Sequence, residues 1–204
     1  VPNSLDRQWF GLEPKRNPPG ARLRVGWVGA GQHQGDLEQI EPIVAEFAHE
    51  VDWVFMGMCT DGIRPHLKEF HGFVSIADYP AKMASLGLDI AIAPLEDNLF
   101  NRCKSNLRLL EYGAMGWAVA CSDVATYHTD APPVLHCASL DDWRAALRRL
   151  IDQPDERARL GAALHQWVRR HYALRGLEQR WFEALFAQTT QSNLENTIQS
   201  ERVE

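Results

Sequence analysis

The sequence predicts an α/β protein built on a Rossmann-like, doubly wound parallel sheet. Three observations carry that expectation. Short apolar runs alternate with segments of helical periodicity from Leu23 to Cys121. A glycine turn, Gly29-Ala30-Gly31, closes the first run and leads into a helix. Beyond Leu140 only helical patterns remain. Alternating strands and helices favour parallel pairing, because each crossover helix covers a face of the sheet. With 204 residues, 45% of them hydrophobic, the chain can bury a substantial core without disulfides or a structural metal.

Taken in order, residues 1–22 hold Pro2, Pro14, Pro18 and Pro19 and little periodicity, and read as a linker. Leu23 to Val28 is the first strand. Asp36 offers an N-cap, with Gln39 three residues on, and Leu37, Ile40, Ile43, Val44 and Phe47 fall at helical spacing. Val51 to Met56 is the second strand, closed by Gly57. Phe70 to Ser75 reads as a short strand broken by Gly72, and Tyr79 to Leu86 as a short helix. Ile90 to Ala93 is a strand stopped by Pro94. Lys104 to Met115 is helical and ends at Gly116. Ala118 to Cys121 and Val134-Leu135 complete a sheet of about six strands, the usual Rossmann-like size. Three amphipathic helices follow, Asp141–Ile151, Asp155–Tyr172 and Leu174–Phe186, with Trp143, Trp167 and Trp181 expected to pack them against the sheet. From Thr189 the sequence is polar. The chain thus divides into a linker (1–22), one domain (23–188) and a polar tail expected to be disordered (189–204).

Net charge is −6 with scattered Lys and Arg, which argues against a broad face for nucleic acid but leaves room for a local anion site. No apolar run has transmembrane length. The opening Val1-Pro2-Asn3 carries neither an initiator Met nor a signal peptide and reads as a piece cut from a longer protein. Cys59, Cys103, Cys121 and Cys137 form no CxxC pair, so reduced thiols in a cytoplasmic setting are expected, not a zinc or disulfide framework.

Two segments could carry chemistry. In Gly29-Ala30-Gly31-Gln32-His33-Gln34-Gly35 a strand ends and a helix begins, where backbone N–H groups and the helix dipole can receive a phosphate. It nearly matches a dinucleotide fingerprint, but Gln34 stands where the third glycine belongs and no acid ends the second strand. His33 could donate a hydrogen bond to a phosphate there; the plain alternative is a solvated loop histidine. The second segment, Ala93 to Gly116, is a polar loop leaving a strand and feeding a helix. Lys104 and Glu111 are seven residues apart, so a continuous helix would put them on one face, cation first and carboxylate deeper. A diphosphate suits the first and ribose hydroxyls the second. The plain alternative is a solvated stripe with an Arg108–Glu111 ion pair.

This second segment resembles the family 4 glycosyltransferases, which have the two-domain GT-B fold. Glu111-Tyr112-Gly113-Ala114-Met115-Gly116, the apolar Trp117 to Cys121 and then Ser122-Asp123 match the second half of the family's Glu-x7-Glu region. Phe100-Asn101-x-x-Lys104-Ser105 is similar to a subgroup found in bacterial polysaccharide and O-antigen clusters, as are Gly29, His33, Asp36 and Leu37 after the first strand. Val1 to Asp6 resembles the linker between GT-B domains, and Phe70-His71-Gly72-Phe73-Val74 the segment near the donor base. The resemblance spans residues 1–187. It implies the C-terminal, nucleotide-sugar-binding half of a GT-B fold, with a UDP- or GDP-type sugar donor and no metal or other cofactor. It further implies a hexosyltransferase-like enzyme of retaining outcome, inactive as this piece alone. The implied partner is an N-terminal acceptor-binding domain, and the full-length protein would work in the cytoplasm at the inner face of the membrane. By the same resemblance Gly29, Gly31, Gln32, His33, Lys104 and Ser105 would hold the donor phosphates, Glu111 the ribose, and Gly72, Phe73 and Val74 the base. The family's first Glu falls at Cys103, which leaves Glu96, Asp97 and Cys103 as the residues expected near the donor sugar, and the family's Arg and Lys pair after the first strand is absent. A second reading stays open: a catalytically degenerate nucleotide-binding or protein-interaction domain. A third, an NAD enzyme, is opposed by Gln34 and the missing acid.

Overall fold

The computed structural model describes residues 2–186; the predicted polar tail at 189–204 lies outside them. The elements run α1 (Arg7–Phe10), β1 (Arg24–Gly29), α2 (Gln34–Glu38), α3 (Glu41–Phe47), β2 (Asp52–Gly57), β3 (Leu67–His71), α4 (Tyr79–Ser85) and β4 (Ile90–Ala93). They continue with α5 (Leu99–Arg102), α6 (Leu107–Ala114), β5 (Ala118–Ser122), β6 (Leu135–Cys137), α7 (Leu140–Asp152) and α8 (Pro154–His171). Residues 178–186 are also helical.

The six strands form one sheet in the order β3-β2-β1-β4-β5-β6, and every pairing is parallel. Its central strands are buried runs, and alternate residues serve opposite faces. Val28, Val54, Ala91 and Val119 pack toward α4, α6 and α8 with Met83, Leu110 and Val168. Trp27, Phe55, Ile92 and Ala120 pack toward α2, α3 and α7 with Leu37, Val44, Phe47 and Leu147. Helices therefore cover both faces, as the alternation predicts. Arg144–Glu46 and Arg148–Glu50 ion pairs join α7 to α3 at the surface.

The first 22 residues add no strand to the sheet. They contain α1, capped by Asp6, and lie against the domain: Leu5 is buried and bonds through its backbone to Tyr172 and Leu174. Most strands and helices fall within a residue or two of expectation, but β3 begins at Leu67, the helical run after β1 is split into α2 and α3, the helix expected from Leu174 starts at 178, and four further corrections apply. Asp36 is not an N-cap; it sits inside α2, behind the cap residue His33, with its side chain turned inward. β3 stops at His71, so Gly72 to Ser75 lie beyond the strand. The segment from Lys104 to Met115 is not one helix. Asn98 caps α5 through the Asn101 N–H, and α6 starts only after Asn106, leaving Lys104 and Ser105 in the turn between them. Trp143 and Trp167 are buried as expected, but Trp181 is 38% exposed.

Candidate nucleotide-binding cleft

The chain lays down β1, β2 and β3 in one direction, then returns to place β4 on the other side of β1. Loops leaving the carboxyl ends of β1 and β4 diverge at this switch point, which opens a crevice where ligands of open α/β sheets bind. A cavity of about 470 Å³ lies there. Gly29, Ala30 and His33 form one wall, Phe73, Val74, Ile76 and Tyr79 a second, and Lys104, Ser105, Leu107, Arg108 and Glu111 a third. Tyr127 closes part of the floor.

Two glycines shape this end of the sheet. Gly57 has φ +98, and a Cβ there would stand 1.9 Å from the Gly29 carbonyl oxygen. A Cβ on Gly29 would meet the Trp27 ring at 2.2 Å and Arg108 Nη2 at 2.9 Å. The turn after β1 is therefore glycine where the Arg108 guanidinium has to pass. The late third glycine, Gly35, faces the Glu96 carboxylate, 2.6 Å from where its Cβ would be.

Arg108 is held from behind. Its Nη2 lies 3.2 Å from His33 Nε2, and His33 Nδ1 is 2.6 Å from Asp36 Oδ2. Asp36 also accepts from the Glu96 N–H at 2.7 Å and from Asn101 Nδ2 at 3.1 Å. Burial works against the Asp36 charge, but His33 and the Glu96 N–H outweigh it and hold the carboxyl below its usual range. A guanidinium has no acceptor, so it donates to His33 Nε2. The network thereby assigns a neutral imidazole with its proton on Nδ1, directed to Asp36. While this contact stands, both ring nitrogens of His33 are engaged, by Arg108 and by Asp36, and His33 orients the Arg108 guanidinium. The guanidinium also lies over Trp27 and near Tyr112, 5.3 and 6.0 Å from the ring centres.

Glu111 sits one helical turn deeper and is buried. Burial pushes its carboxyl up, against the opposing pull of Arg108 and a 3.0 Å hydrogen bond donated by the Tyr79 hydroxyl. Lys104 packs its ammonium over Phe100 at 4.8 Å, and Ser105 Oγ accepts from Asn3 Nδ2 at 2.6 Å, which brings the N-terminal segment to the rim.

Of the residues expected from sequence, the cavity wall brings together Gly29, His33, Phe73, Val74, Lys104, Ser105 and Glu111. Gly31, Gln32 and Gly72 are exposed and lie off the wall. Glu96, Asp97 and Cys103 also lie off it, with Asp97 paired to Arg102 at 2.7 Å. Sequence reasoning missed Arg108, Tyr79 and Tyr127. Arg108 had a visible signal, its place one turn before Glu111, but it reads as that residue's ion-pair partner; Glu111 in fact bonds to Tyr79.

No family profile matches the chain, and no curated protein matches it. Solved structures do. The chain is similar to HepE of Anabaena in complex with UDP-glucose (TM-score 0.63, 13% identity, covering 90% of this chain and 56% of that one). It is also similar to the sucrose-phosphate synthase of Thermosynechococcus elongatus (TM-score 0.62, 15% identity, 92% and 52%). A third match is WaaG, a glycosyltransferase involved in lipopolysaccharide biosynthesis (TM-score 0.54, 16% identity, 77% and 51%). The fold is thus that of a GT-B half-domain, and the chain spans about half the length of these proteins. Among the described residues, no helix is long and apolar enough to cross a membrane.

Proposed function

We propose that this chain is the donor-binding part of a retaining glycosyltransferase of family 4 type. It would move a sugar from a UDP- or GDP-type nucleotide sugar to an acceptor in polysaccharide or lipopolysaccharide synthesis. The observation that carries the reading is the convergence of Lys104, Arg108 and the β1 turn above a recessed Glu111 in one cleft. Two cations beside backbone N–H groups suit a diphosphate and stabilise it as it departs with the bond's electrons. They supply that charge from side chains, so the reading requires no metal or other cofactor. Glu111, steadied by Tyr79, would accept from ribose hydroxyls, and Phe73 and Val74 offer an apolar wall to the base. Arg108 fills the place of the family's missing cations, from another element. The acceptor would be held by a preceding domain, in a full-length protein working in the cytoplasm at the inner membrane face.

Binding of UDP-, GDP- and CMP-sugars, measured by thermal shift and calorimetry, tests the reading. A matching nucleotide sugar should raise stability, because it binds the folded state alone. Arg108→Gln and Lys104→Ala should each weaken binding by about 1–3 kcal/mol, the range for a charged hydrogen bond. Wild-type affinity in both variants would refute the site. One observation favours a second reading, a domain that binds nucleotide without catalysis: Cys103, at the position of the family's first Glu, is exposed and off the cleft wall. Sugar transfer by the full-length protein, lost in Glu111→Ala, separates the two.

A further inference from the structure

Away from the donor cleft, three side chains from consecutive segments converge beyond the carboxyl end of β5. Asp123 follows β5, His128 ends a short 3-10 turn at Ala125–His128, and His136 lies in β6. One donor atom from each lies within 4.8 Å of the other two. His128 Nε2 is 2.5 Å from Asp123 Oδ1, and the two imidazoles stack at 4.1 Å with 9° between their planes. Asp123 and His128 are exposed, so an ion has access. None of the three lines the donor cleft.

We propose that Asp123, His128 and His136 form a binding site for a divalent transition ion of the zinc class. Two imidazoles and a carboxylate are borderline donors that suit zinc and oppose magnesium or calcium, which take oxygen shells. Tetrahedral bonds of about 2.0–2.2 Å bring donors to roughly 3.4 Å apart. Because an imidazole nitrogen binds a metal in its ring plane, closing the triad draws the donors in by about 1 Å and turns one of the two rings out of the parallel stack. The ion would take the place of the proton that His128 and Asp123 share. His136 Nδ1 lies 3.6 Å from the buried Cys121 sulfur, an outer contact that leaves Nε2 to coordinate. Three protein donors leave a fourth position for water.

Such an ion would pin both ends of the 123–136 segment. That segment contains Tyr127, part of the donor cleft, and Asp130 and Ala131, non-glycine residues at φ 58 and 49. Asp130 receives the Tyr172 hydroxyl at 2.6 Å, and its carbonyl receives Trp167 Nε1 at 2.8 Å. Closing a strained loop in this way stabilises the folded chain.

The test is titration of the untagged protein with Zn2+ alone, by calorimetry and thermal unfolding, with Co2+ as a spectroscopic probe. We expect one ion per chain, a rise in Tm, and visible d–d absorption from bound Co2+. His128→Gln and His136→Gln should each weaken Zn2+ binding more than about tenfold, and the exposed-site control His49→Ala should bind as wild type. Circular dichroism checks that each variant folds. An unchanged Tm with Zn2+, or affinity that survives in the folded His128→Gln/His136→Gln double variant, would overturn the site. Neither outcome bears on nucleotide binding, which is read separately.

Discussion

Asp36 is 2% exposed yet ionised, because three donors surround it: the His33 imidazole, the Glu96 amide and the Asn101 side chain. Asp36→Ala would strand those donors in the interior and should destabilise the fold by on the order of 3 kcal/mol, read by urea unfolding. It should also release His33 and weaken nucleotide binding. His33→Ala should act mainly on binding, because it frees Arg108 without orphaning the Glu96 amide; equal binding in His33→Ala and wild type would end the positioning role. The sign of the pH effect is fixed by the lowered pKa. Asp36 contributes stability above its unfolded value of 3.8 and loses it as pH falls below that value. Asp36 reads in sequence as a helix cap because an acid before an apolar periodic run usually is one. The amides that recruit it inward lie sixty and more residues downstream, which no local pattern can show. Lys104 and Glu111 do line one cleft, but not through the shared helix face the sequence suggests, since Lys104 precedes α6.

At the scale of elements, the strands were the easiest part to read. Parallel strands buried on both faces are continuous apolar runs, and Ile90–Ala93 falls where the sequence puts it. The turn between α5 and α6 was not legible, since residues 104–115 keep helical periodicity throughout, while the Asn106 side chain at the start of α6 caps nothing locally and donates instead to the Tyr172 hydroxyl, sixty-six residues away. Two predictions belong here. Gly57→Ala combines a positive φ with a 1.9 Å approach to the Gly29 carbonyl. It should cost more than about 3 kcal/mol and distort the cleft, since neither partner is a flexible side chain; a stable variant with native nucleotide affinity would contradict the packing. The second concerns Arg24 and Glu69, a two-point ion pair at 2.7 and 2.9 Å that spans β2. The Arg24 guanidinium holds the Glu69 carboxyl at about 2, below its ordinary 4.5. A depressed carboxylate stabilises above its unfolded pKa and loses that contribution as pH falls toward the folded one. Glu69→Gln should therefore be less stable than wild type at neutral pH, and the gap should narrow between about pH 4.5 and 2. A gap constant across that window would show that the pair carries no net energy, the common result for surface ion pairs.

At the scale of the whole molecule, the cleft has walls from this domain on three sides and an open mouth. Around that mouth stand Phe73 and Ile76, 68% and 92% exposed, with the exposed Phe100 ring beneath the Lys104 ammonium. Apolar groups left in solvent around a binding site mark a surface that meets another body. The chain also spans about half the length of the glycosyltransferases whose fold it shares. Donor binding and sugar transfer should therefore separate experimentally. On the proposed reading, binding needs Lys104, Arg108, Glu111 and the β1 turn, which line one cleft. Transfer needs an acceptor hydroxyl held within bonding distance of the donor sugar, and placing two reactants accounts for as much as about 7–11 kcal/mol of the barrier. Water alone at an open cleft does not supply that orientation. We expect the chain to bind its nucleotide sugar measurably and to form no glycoside, while addition of an acceptor-binding domain restores transfer. Glycoside formation by this chain alone, at a rate matching the complete protein, would show that the acceptor site is already here and would sink the division of labour proposed for it.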